Sequence, residues 1–372
     1  KNQGKVVSLA GKFGIRAEDV PVLTKLAREW AGKSVEDLGL AYEKMMSDYE
    51  DKANIMKSVL VFCDSGYTIP QGREVASYYF PLEYGIDGMI KFCEAKKLEV
   101  AGYADGDGIL GMKRLYFYEA ARIALGGIQQ FWLNYVKELR TVAEIEPDEA
   151  QKAEYLALAD QMEWIAHNPP RNFREALHLT YLIHITVLNE DAISGYSPGR
   201  LGQVLYPYFE KDIADGTITE EEVIELLEVH RFKFSTIELF ASTGISGGIS
   251  GNTFNNLSVG GLDKDGAPCG NRLEWLFLHA GMTNQSPQPT LSVLYDERLP
   301  KDFLIKCVEC TKTGVGYPAW MNNRVAMDFM MNQYGAEGMT VSEARAVAIG
   351  GCLETAPVSY THLRAHETDS YL

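Results

Sequence analysis

One cysteine and one glutamate near the end of the chain have the types and spacing for chemistry between a thiol and a carboxyl group. Cys352 follows the glycine pair Gly350-Gly351, and Glu354 lies two positions further on. Glycine lets the backbone adopt conformations closed to other residues and approach a ligand closely. In extended backbone, side chains at positions i and i+2 point to the same side. The spacing therefore predicts that both groups face one cavity; a buried cysteine in a turn, with Glu354 on the surface, is the alternative.

The chemistry that this pair favours is hydrogen-atom transfer rather than nucleophilic attack. A nucleophilic thiolate needs a base or a cation beside it, and no histidine lies close to Cys352 in sequence before residue 358. A neighbouring carboxylate such as Glu354 disfavours the thiolate. A neutral thiol beside a carboxyl group that handles protons fits hydrogen-atom chemistry better.

The composition narrows the class of protein. The chain has 372 residues, of which 46% are hydrophobic, and a formal net charge of −16 at pH 7. This charge disfavours nucleic acid and membrane surfaces as partners. Six cysteines in so long a chain do not indicate a disulfide framework, so we expect a reducing, cytoplasmic setting. No metal site is expected, because the Cys307-x-x-Cys310 pair lies in a helical pattern and is interpreted as core.

The elements that must position the pair begin, in chain order, with helices. Alternating strands and helices follow them. Hydrophobic periodicity predicts early helices over Val20 to Trp30, Val35 to Lys57, Leu110 to Val142, and Pro147 to His167. Capping-box spacing predicts three later helix starts, at Asn172 with Glu175, Thr219 with Glu222, and Thr340 with Glu343. Strands are predicted over Asn256 to Leu262 and Thr290 to Tyr295. This order indicates a mixed α/β core or barrel with a helical N-terminal part.

Five segments, in the same order, resemble the glycyl radical enzymes of the pyruvate formate-lyase-like superfamily. They are Asn168 to Leu177, Ser197 to Gln203, Asn256 to Gly266, Gly314 to Asn323, and Ala348 to Thr355. The second is similar to the family's Gly-Arg-x-Asp-Gln pattern, with Gly202 where aspartate is common. Its Arg200 is interpreted as structural, tying a loop to the barrel. On these segments the chain is identified as a member of the superfamily.

The resemblance implies a fold and a radical cofactor. The fold class would be α/β: a ten-stranded barrel of two antiparallel five-stranded halves, with Cys352 on a finger loop at its centre. We expect residues 1–357 to be the central part of this domain, holding the first half-barrel and truncated at both ends, and residues 358–372 to be a non-native tail. No cofactor is expected in this chain, because the radical glycine would lie in the missing C-terminal part. A radical S-adenosylmethionine activating enzyme would install the radical, so this chain alone is expected to be inactive.

The residue beside the cysteine separates members of the superfamily. Pyruvate formate-lyase uses two adjacent cysteines, whereas Gly351 precedes Cys352 here. Gly-Cys-x-Glu resembles members with one cysteine and a base, which include dehydratases, C–N and C–S lyases, and arylacetate decarboxylases. Thr355 and the segment Asn189 to Gly195 are closer to hydroxyphenylacetate and indoleacetate decarboxylases. We therefore predict decarboxylation of an arylacetate; a C–O, C–N or C–S eliminase, a formate acetyltransferase-like protein and a non-catalytic fragment are the alternatives.

For that reaction the resemblance implies roles for single residues. Cys352 would carry the thiyl radical and Glu354 would act as general acid and base. Arg73 and Ser194 are predicted polar contacts to the substrate, and Phe254 a predicted aromatic wall; a surface ion pair, a loop cap and core packing are the respective alternatives.

The expected partners follow from the same resemblance. They are a small-molecule substrate, the radical S-adenosylmethionine activating enzyme, a small iron–sulfur subunit if the protein is of the hydroxyphenylacetate type, and a second copy in a homodimer or higher oligomer.

Overall fold

The computed structural model describes residues 15–33, 74–102, 108–191, 195–237 and 254–357. The chain divides into two units, Lys1–Gln71 and Gly72–Leu372. In the first unit, helix α1 (Val20–Glu29) lies where a helix was predicted. The predicted helix from Val35 to Lys57 lies outside the described residues.

Helices make up the first part of the second unit. They are α2 (Tyr79–Gly102), α3 (Gly108–Ile145), α4 (Glu149–Ile165), α5 (Phe173–Asp191), α6 (Leu201–Val204), α7 (Tyr206–Asp215) and α8 (Glu220–Ser235). The two long predicted helices are confirmed as α3 and α4. Helix α2 is kinked at Gly85, whose φ of 64° leaves the helical region. A Cβ at Gly85 would lie 2.5 Å from the backbone of Asn168, so this crossing requires glycine.

Strands and helices alternate in the remainder of the unit. The order is β1 (Asn256–Gly260), α9 (Arg272–Thr283), β2 (Thr290–Tyr295), α10 (Lys301–Lys312), β3 (Ala319–Asn322), α11 (Asn323–Tyr334), a 3-10 turn (Gly335–Glu337), α12 (Val341–Arg345), β4 (Val347–Gly350) and β5 (Glu354–Pro357). The prediction for β2 is confirmed at both ends. Strand β1 ends earlier than predicted, because Gly260 and Gly261 both have a φ of 75° and turn the chain out of the sheet.

Five parallel segments lie side by side in the described part of the chain. Strands β1, β2 and β3 form a parallel sheet in that order. Two parallel bridges extend it, from Gly199 to Leu257 of β1 and from Ser197 to Val75. The segment at Ser197–Gly199 therefore borders β1, and the segment at Val75 borders that one in turn. This arrangement confirms the predicted first half of a barrel.

Apolar side chains on one face of the sheet pack under the connecting helices. Leu257 and Val259 of β1 are fully buried, as is the α10 residue Cys307. Burial raises the pKa of the Cys307 thiol to about 12 and that of Cys310 to about 11, so both stay protonated. The interpretation of this cysteine pair as core is confirmed.

Side-chain caps begin the predicted helices, with one difference. Thr219 and Thr340 form complete capping boxes with Glu222 and Glu343. At α5 only half of the box forms. Asn172 accepts from the Glu175 amide at 2.9 Å, but the Glu175 carboxylate accepts from the amide of Arg171 at 2.7 Å instead.

Among the described helices, none has the length and apolar character that crossing a membrane would require.

Candidate active site

Cys352 lies at the tip of a β-hairpin. Strands β4 and β5 pair antiparallel with Gly350 opposite Glu354, so residues 351–353 form the connecting loop. Gly351 has a φ of 58°, a left-handed conformation that favours glycine. The Cys352 side chain is exposed, and Leu353 beside it is 66% exposed.

The Glu354 carboxylate folds back over the hairpin loop. Its Oε2 accepts hydrogen bonds from the backbone N–H of Cys352 at 2.9 Å and of Leu353 at 3.0 Å. The expectation that Cys352 and Glu354 lie in one extended segment and point to the same side is wrong, because Cys352 occupies a turn. The alternative, a buried cysteine in a turn, is right about the turn and wrong about the burial. The carboxylate and the cysteine are nevertheless joined, through the backbone of Cys352 itself.

Two fully buried serines hold the hairpin against the sheet. The Ser258 hydroxyl on β1 accepts from the backbone N–H of Ile349 at 2.9 Å. The Ser197 hydroxyl accepts from the backbone N–H of Gly351 at 2.9 Å, and donates to the carbonyl of Gly195 at 3.2 Å. These bonds fix the backbone on the N-terminal side of Cys352.

The Ser197 hydroxyl also sets the direction of the hairpin. It accepts a second backbone N–H, from Asn256 at the start of β1, at 3.0 Å. Because Ile349 is bound at Ser258 and Gly351 at the level of Asn256, β4 runs opposite to β1. The tip with Cys352 therefore lies toward the N-terminal end of β1. The sequence did not assign these serines a role, since their bonds to the hairpin join residues 154 and 91 positions apart.

Arg200 ties the entry of the hairpin to the sheet. It is 5% exposed, and its guanidinium donates to the carbonyls of Arg345 and Gly260, each at 2.7 Å. Arg345 ends α12, two residues before β4 begins. The structural role predicted for Arg200 is confirmed.

A buried carboxyl group explains why glycine occurs at position 202. Glu274 is fully buried, and accepts from the backbone N–H of Gly270 at 2.6 Å and of Gly260 at 3.3 Å. Burial raises the pKa of Glu274, while Arg200 and these backbone bonds oppose that rise. A Cβ at Gly202 would lie 2.3 Å from Cγ of Glu274. The space next to Gly202 is therefore filled by the side chain of Glu274.

Phe254 is the one predicted substrate contact within the described residues. It lies two residues before β1 begins, is half-buried, and has a φ of 52°, the one positive φ at a described residue other than glycine. Such a conformation is strained in a bulky residue and is kept where surrounding contacts impose it. Phe254 lies at the end of β1 to which the hairpin tip points.

The other two predicted contacts, Arg73 and Ser194, lie outside the described residues. Their neighbours belong to the segments that hold the hairpin. The carbonyl of Glu74 accepts from the backbone N–H of Ser197 at 2.8 Å. The carbonyl of Gly195 accepts from the hairpin loop at 3.1 Å.

A buried histidine contacts Asn255, the residue that follows Phe254. His184 is fully buried, and burial lowers its pKa to about 3, so the ring is neutral. Its Nε2 lies 2.9 Å from Oδ1 of Asn255 and donates to it. The backbone N–H of Asn255 donates to the Gln288 side chain at 2.9 Å. No local pattern indicates this contact, because His184 has the spacing of an ordinary helix core position.

Within the described stretches, no group of three or more histidine, cysteine, aspartate or glutamate side chains could hold a metal ion.

Comparison with known proteins gives a family for the chain. The family model described as pyruvate formate lyase-like matches residues 6–363. The 4-hydroxyphenylacetate decarboxylase glycyl radical subunit of Clostridioides difficile is 58% identical over 361 residues, which is 97% of this chain and 40% of the relative. The indoleacetate decarboxylase of Tractidigestivibacter scatoligenes is 36% identical over 357 residues, covering 95% of this chain and 40% of the relative.

A solved structure supports the same grouping. The glycerol-bound B12-independent glycerol dehydratase of Clostridium butyricum superimposes with a TM-score of 0.76 and 26% identity, over 92% of this chain and 42% of that one. The chain thus spans about 40% of the length of the curated relatives it matches.

Proposed function

Because the chain belongs to the pyruvate formate lyase-like family, we propose that the full-length protein containing it is a glycyl radical enzyme that decarboxylates an arylacetate of the 4-hydroxyphenylacetate or indoleacetate type. One observation carries this proposal: the 58% identity to the 4-hydroxyphenylacetate decarboxylase subunit over 361 residues. A span of that length includes Cys352 and Glu354 wherever it begins in the chain. The dehydratase relatives are more distant, at 27% and 29% identity.

Cys352 is the proposed hydrogen-atom carrier. A glycyl radical elsewhere in the full-length protein would accept the hydrogen atom of the Cys352 thiol, which would leave a thiyl radical on this sulfur. The Cys352 thiyl then accepts one electron from the substrate carboxylate, and carbon dioxide leaves. Glu354 returns a proton to the resulting thiolate. The thiol finally gives a hydrogen atom to the benzylic carbon, which yields the methylarene and restores the thiyl.

The hairpin geometry suits this role. The loop backbone is fixed by hydrogen bonds that its N–H groups donate to Ser197 and Glu354, while the Cys352 side chain is exposed. An exposed thiol on a fixed backbone can meet both a radical donor and a substrate held by the rest of the barrel. Holding reacting groups in position is a large part of enzymatic rate enhancement.

Three side chains are proposed to hold the substrate. Arg73 and Ser194 supply polar contacts, and Phe254 supplies an aromatic wall. Phe254 is supported by its place at the end of β1 to which the hairpin tip points, and Ser194 by its neighbour Gly195, which binds the hairpin loop.

The remaining parts of the proposal concern partners and setting. A radical S-adenosylmethionine activating enzyme installs the glycyl radical, and a small iron–sulfur subunit accompanies the protein. The protein forms a homodimer or higher oligomer in the reducing cytoplasm, where Cys352 stays a thiol. Residues 1–357 are the central part of the barrel domain, and 358–372 are a non-native tail.

The test compares substrates in the full-length protein. The protein is activated anaerobically with its activating enzyme, and the glycyl radical is quantified by electron paramagnetic resonance. It is then given 4-hydroxyphenylacetate, indoleacetate, glycerol and trans-4-hydroxyproline, and products are identified by mass spectrometry. We expect a methylarene and carbon dioxide from one or both arylacetates.

Two results would reject the proposal. Dehydration of glycerol or hydroxyproline, with the arylacetates untouched, would identify an eliminase instead. No product from any of the four, with the radical signal present, would also contradict arylacetate decarboxylation.

A further inference from the structure

We propose that the carboxamide of Asn256 is a substrate-binding group, which donates a hydrogen bond to the carboxylate of the arylacetate beside Cys352. The inference rests on the proposed function and gives a role to a residue that lies in one of the segments resembling the family but is not among the predicted contacts. It starts from an unsatisfied polar group. Asn256 is 2% exposed, and its Oδ1 is buried without a hydrogen-bond partner among the described residues.

The side chain of Asn256 lies on the face of the sheet that carries the hairpin. Ser258, two positions along β1, points its hydroxyl to the hairpin, where it binds the N–H of Ile349. Side chains at positions i and i+2 of a strand point to the same side. The carboxamide of Asn256 therefore points to the hairpin face as well.

Asn256 also lies at the level of the cysteine. Its backbone N–H and that of Gly351 share the hydroxyl of Ser197 as acceptor, at 3.0 and 2.9 Å. Cys352 follows Gly351 directly. Of the strand residues described on this face, Asn256 is thus the one joined through a single hydroxyl to the residue before Cys352.

Physical chemistry indicates what such a group is for. A buried polar atom left without a partner costs about 1–3 kcal/mol, so proteins seldom keep one without a use. The two ends of a carboxamide exchange by rotation, so Asn256 can present either an N–H donor or an oxygen to the same space. The donor end suits a carboxylate. Because it is neutral, it can bind the substrate anion without forming an ion pair with nearby Glu354.

Ser292 on β2 provides a matched control. It pairs in register with Ser258, is fully buried, and its hydroxyl also has no partner among the described residues. Registered residues of parallel strands face the same side, so Ser292 lies on the hairpin face too. However, Ser292 lies beside Ser258, which binds Ile349, so it is further from the tip of the hairpin than Asn256 is.

The test measures ligand binding in the full-length protein before activation. Asn256→Asp and Asn256→Ala are compared with Ser292→Ala and the unchanged protein, by calorimetry with 4-hydroxyphenylacetate and with the neutral 4-methylphenol. We expect Asn256→Asp to weaken binding of the carboxylate by tenfold or more, and Asn256→Ala to weaken it several-fold. Binding of 4-methylphenol should stay within twofold in every variant, as should both ligands with Ser292→Ala.

Each outcome decides one question. Equal losses for the two ligands would mean that Asn256 only supports the fold, and unchanged binding of 4-hydroxyphenylacetate in both variants would mean that it makes no contact; either result overturns the inference. Turnover of the unchanged protein tests the proposed function separately, because an active decarboxylase with an unaffected Asn256→Asp variant rejects the inference alone.

Discussion

At the level of single residues, the position of Cys352 depends on hydroxyl groups from distant parts of the chain. The buried Ser197 hydroxyl makes three hydrogen bonds. It accepts from the backbone N–H groups of Gly351 and Asn256 and donates to the carbonyl of Gly195. Ser258 holds the preceding strand at Ile349. Hydroxyl groups are small enough to lie between two backbone segments, which explains why serines occupy these packed positions.

Replacing Ser197 with alanine tests whether these hydrogen bonds hold Cys352 in position. The change leaves the buried N–H of Asn256 without its acceptor, and removes one of two acceptors for Gly351. We expect the free energy of unfolding to fall by about 1–3 kcal/mol. We expect turnover to fall about tenfold or more, because small displacements of a reacting group are costly, while the KM for the arylacetate changes little. The measurement is steady-state kinetics of the activated full-length protein.

The control for this prediction is Ser292→Ala, an equally small change at a buried strand residue whose hydroxyl makes no bond among the described residues. A KM increase as large as the kcat loss in Ser197→Ala would show that the hydroxyl acts on substrate binding and not on the position of the cysteine.

Two buried histidines make stability depend on pH. Burial lowers the pKa of both His184 and His230 to about 3, and both nitrogens of His230 are without a partner among the described residues. In the unfolded chain a histidine has a pKa near 6.5. Between these values the unfolded state binds protons that the folded state does not. The histidines therefore lower stability as the pH falls from about 6.5 toward 3, and have no such effect above it.

His230→Phe should reduce this dependence. Each such histidine removes up to about 1.4 kcal/mol of stability per pH unit below 6.5. Urea unfolding at pH 7.5 and 5.5 should therefore show a smaller difference in the variant than in the unchanged protein, with no loss of stability at pH 7.5. His279→Gln is the comparison: burial and Lys306 lower the pKa of this half-buried histidine too, but less far, so its variant should show a smaller reduction. An unchanged pH dependence in His230→Phe would contradict the account.

At the level of elements, α12 is the short helix that delivers the chain into the hairpin. It spans Val341–Arg345, starts with the capping box of Thr340 and Glu343, and ends where Arg200 binds the carbonyl of Arg345. A helix this short depends on its cap, because most of its backbone N–H groups have no partner within the helix.

Removing the cap of α12 should affect both stability and activity. Thr340→Ala is compared with Thr219→Ala, which removes the same kind of cap from α8. Both should lower the free energy of unfolding by about 1 kcal/mol. Only Thr340→Ala should reduce turnover, because α12 leads directly into β4. Equal turnover in the two variants, measured at matched glycyl radical content, would show that α12 does not position the hairpin.

The elements show which features the sequence can predict. Strand β2 was predicted at both ends, because Pro289 and Pro300 bound an apolar run of β-branched and aliphatic residues. Strand β3 was missed, since Ala319–Asn322 has no alternating pattern and owes its conformation to pairing with β2. The parallel bridges at Val75 and Ser197 were missed for the same reason. The local residue pattern predicts strands whose own residues favour an extended conformation. It does not predict strands that form because they pair with a neighbouring strand.

The candidate site likewise has features that the local sequence predicts and features that depend on distant parts of the chain. Cys352 and Glu354 were found from residue type and spacing within one short segment. Their geometry was not, because the loop turns at Gly351 and the carboxylate binds the cysteine backbone. Ser197, Ser258 and Asn256 lie in segments that resemble the family, but the bonds of the two serines join residues far apart in sequence, so local spacing gives these residues no role.

At the level of the whole molecule, the hairpin tip is exposed in the described part of the chain, at Cys352 and Leu353. Asn256 and Ser292, on the hairpin face of the sheet, are instead buried. The chain spans about 40% of the length of its curated relatives. In the proposed full-length enzyme, sequence outside this span would cover the exposed tip.

The central claim is that the thiyl radical of Cys352 oxidises the substrate carboxylate, and that the Cys352 thiol then gives a hydrogen atom to the benzylic carbon. It is tested most directly by running the activated full-length protein on 4-hydroxyphenylacetate in heavy water and analysing the methyl group of the product by mass spectrometry. Because a thiol exchanges its hydrogen with solvent, we predict 4-methylphenol with one deuterium in the methyl group, and no product from Cys352→Ser although its glycyl radical signal still forms. Turnover that survives in Cys352→Ser, or a methyl group without deuterium, would contradict the account.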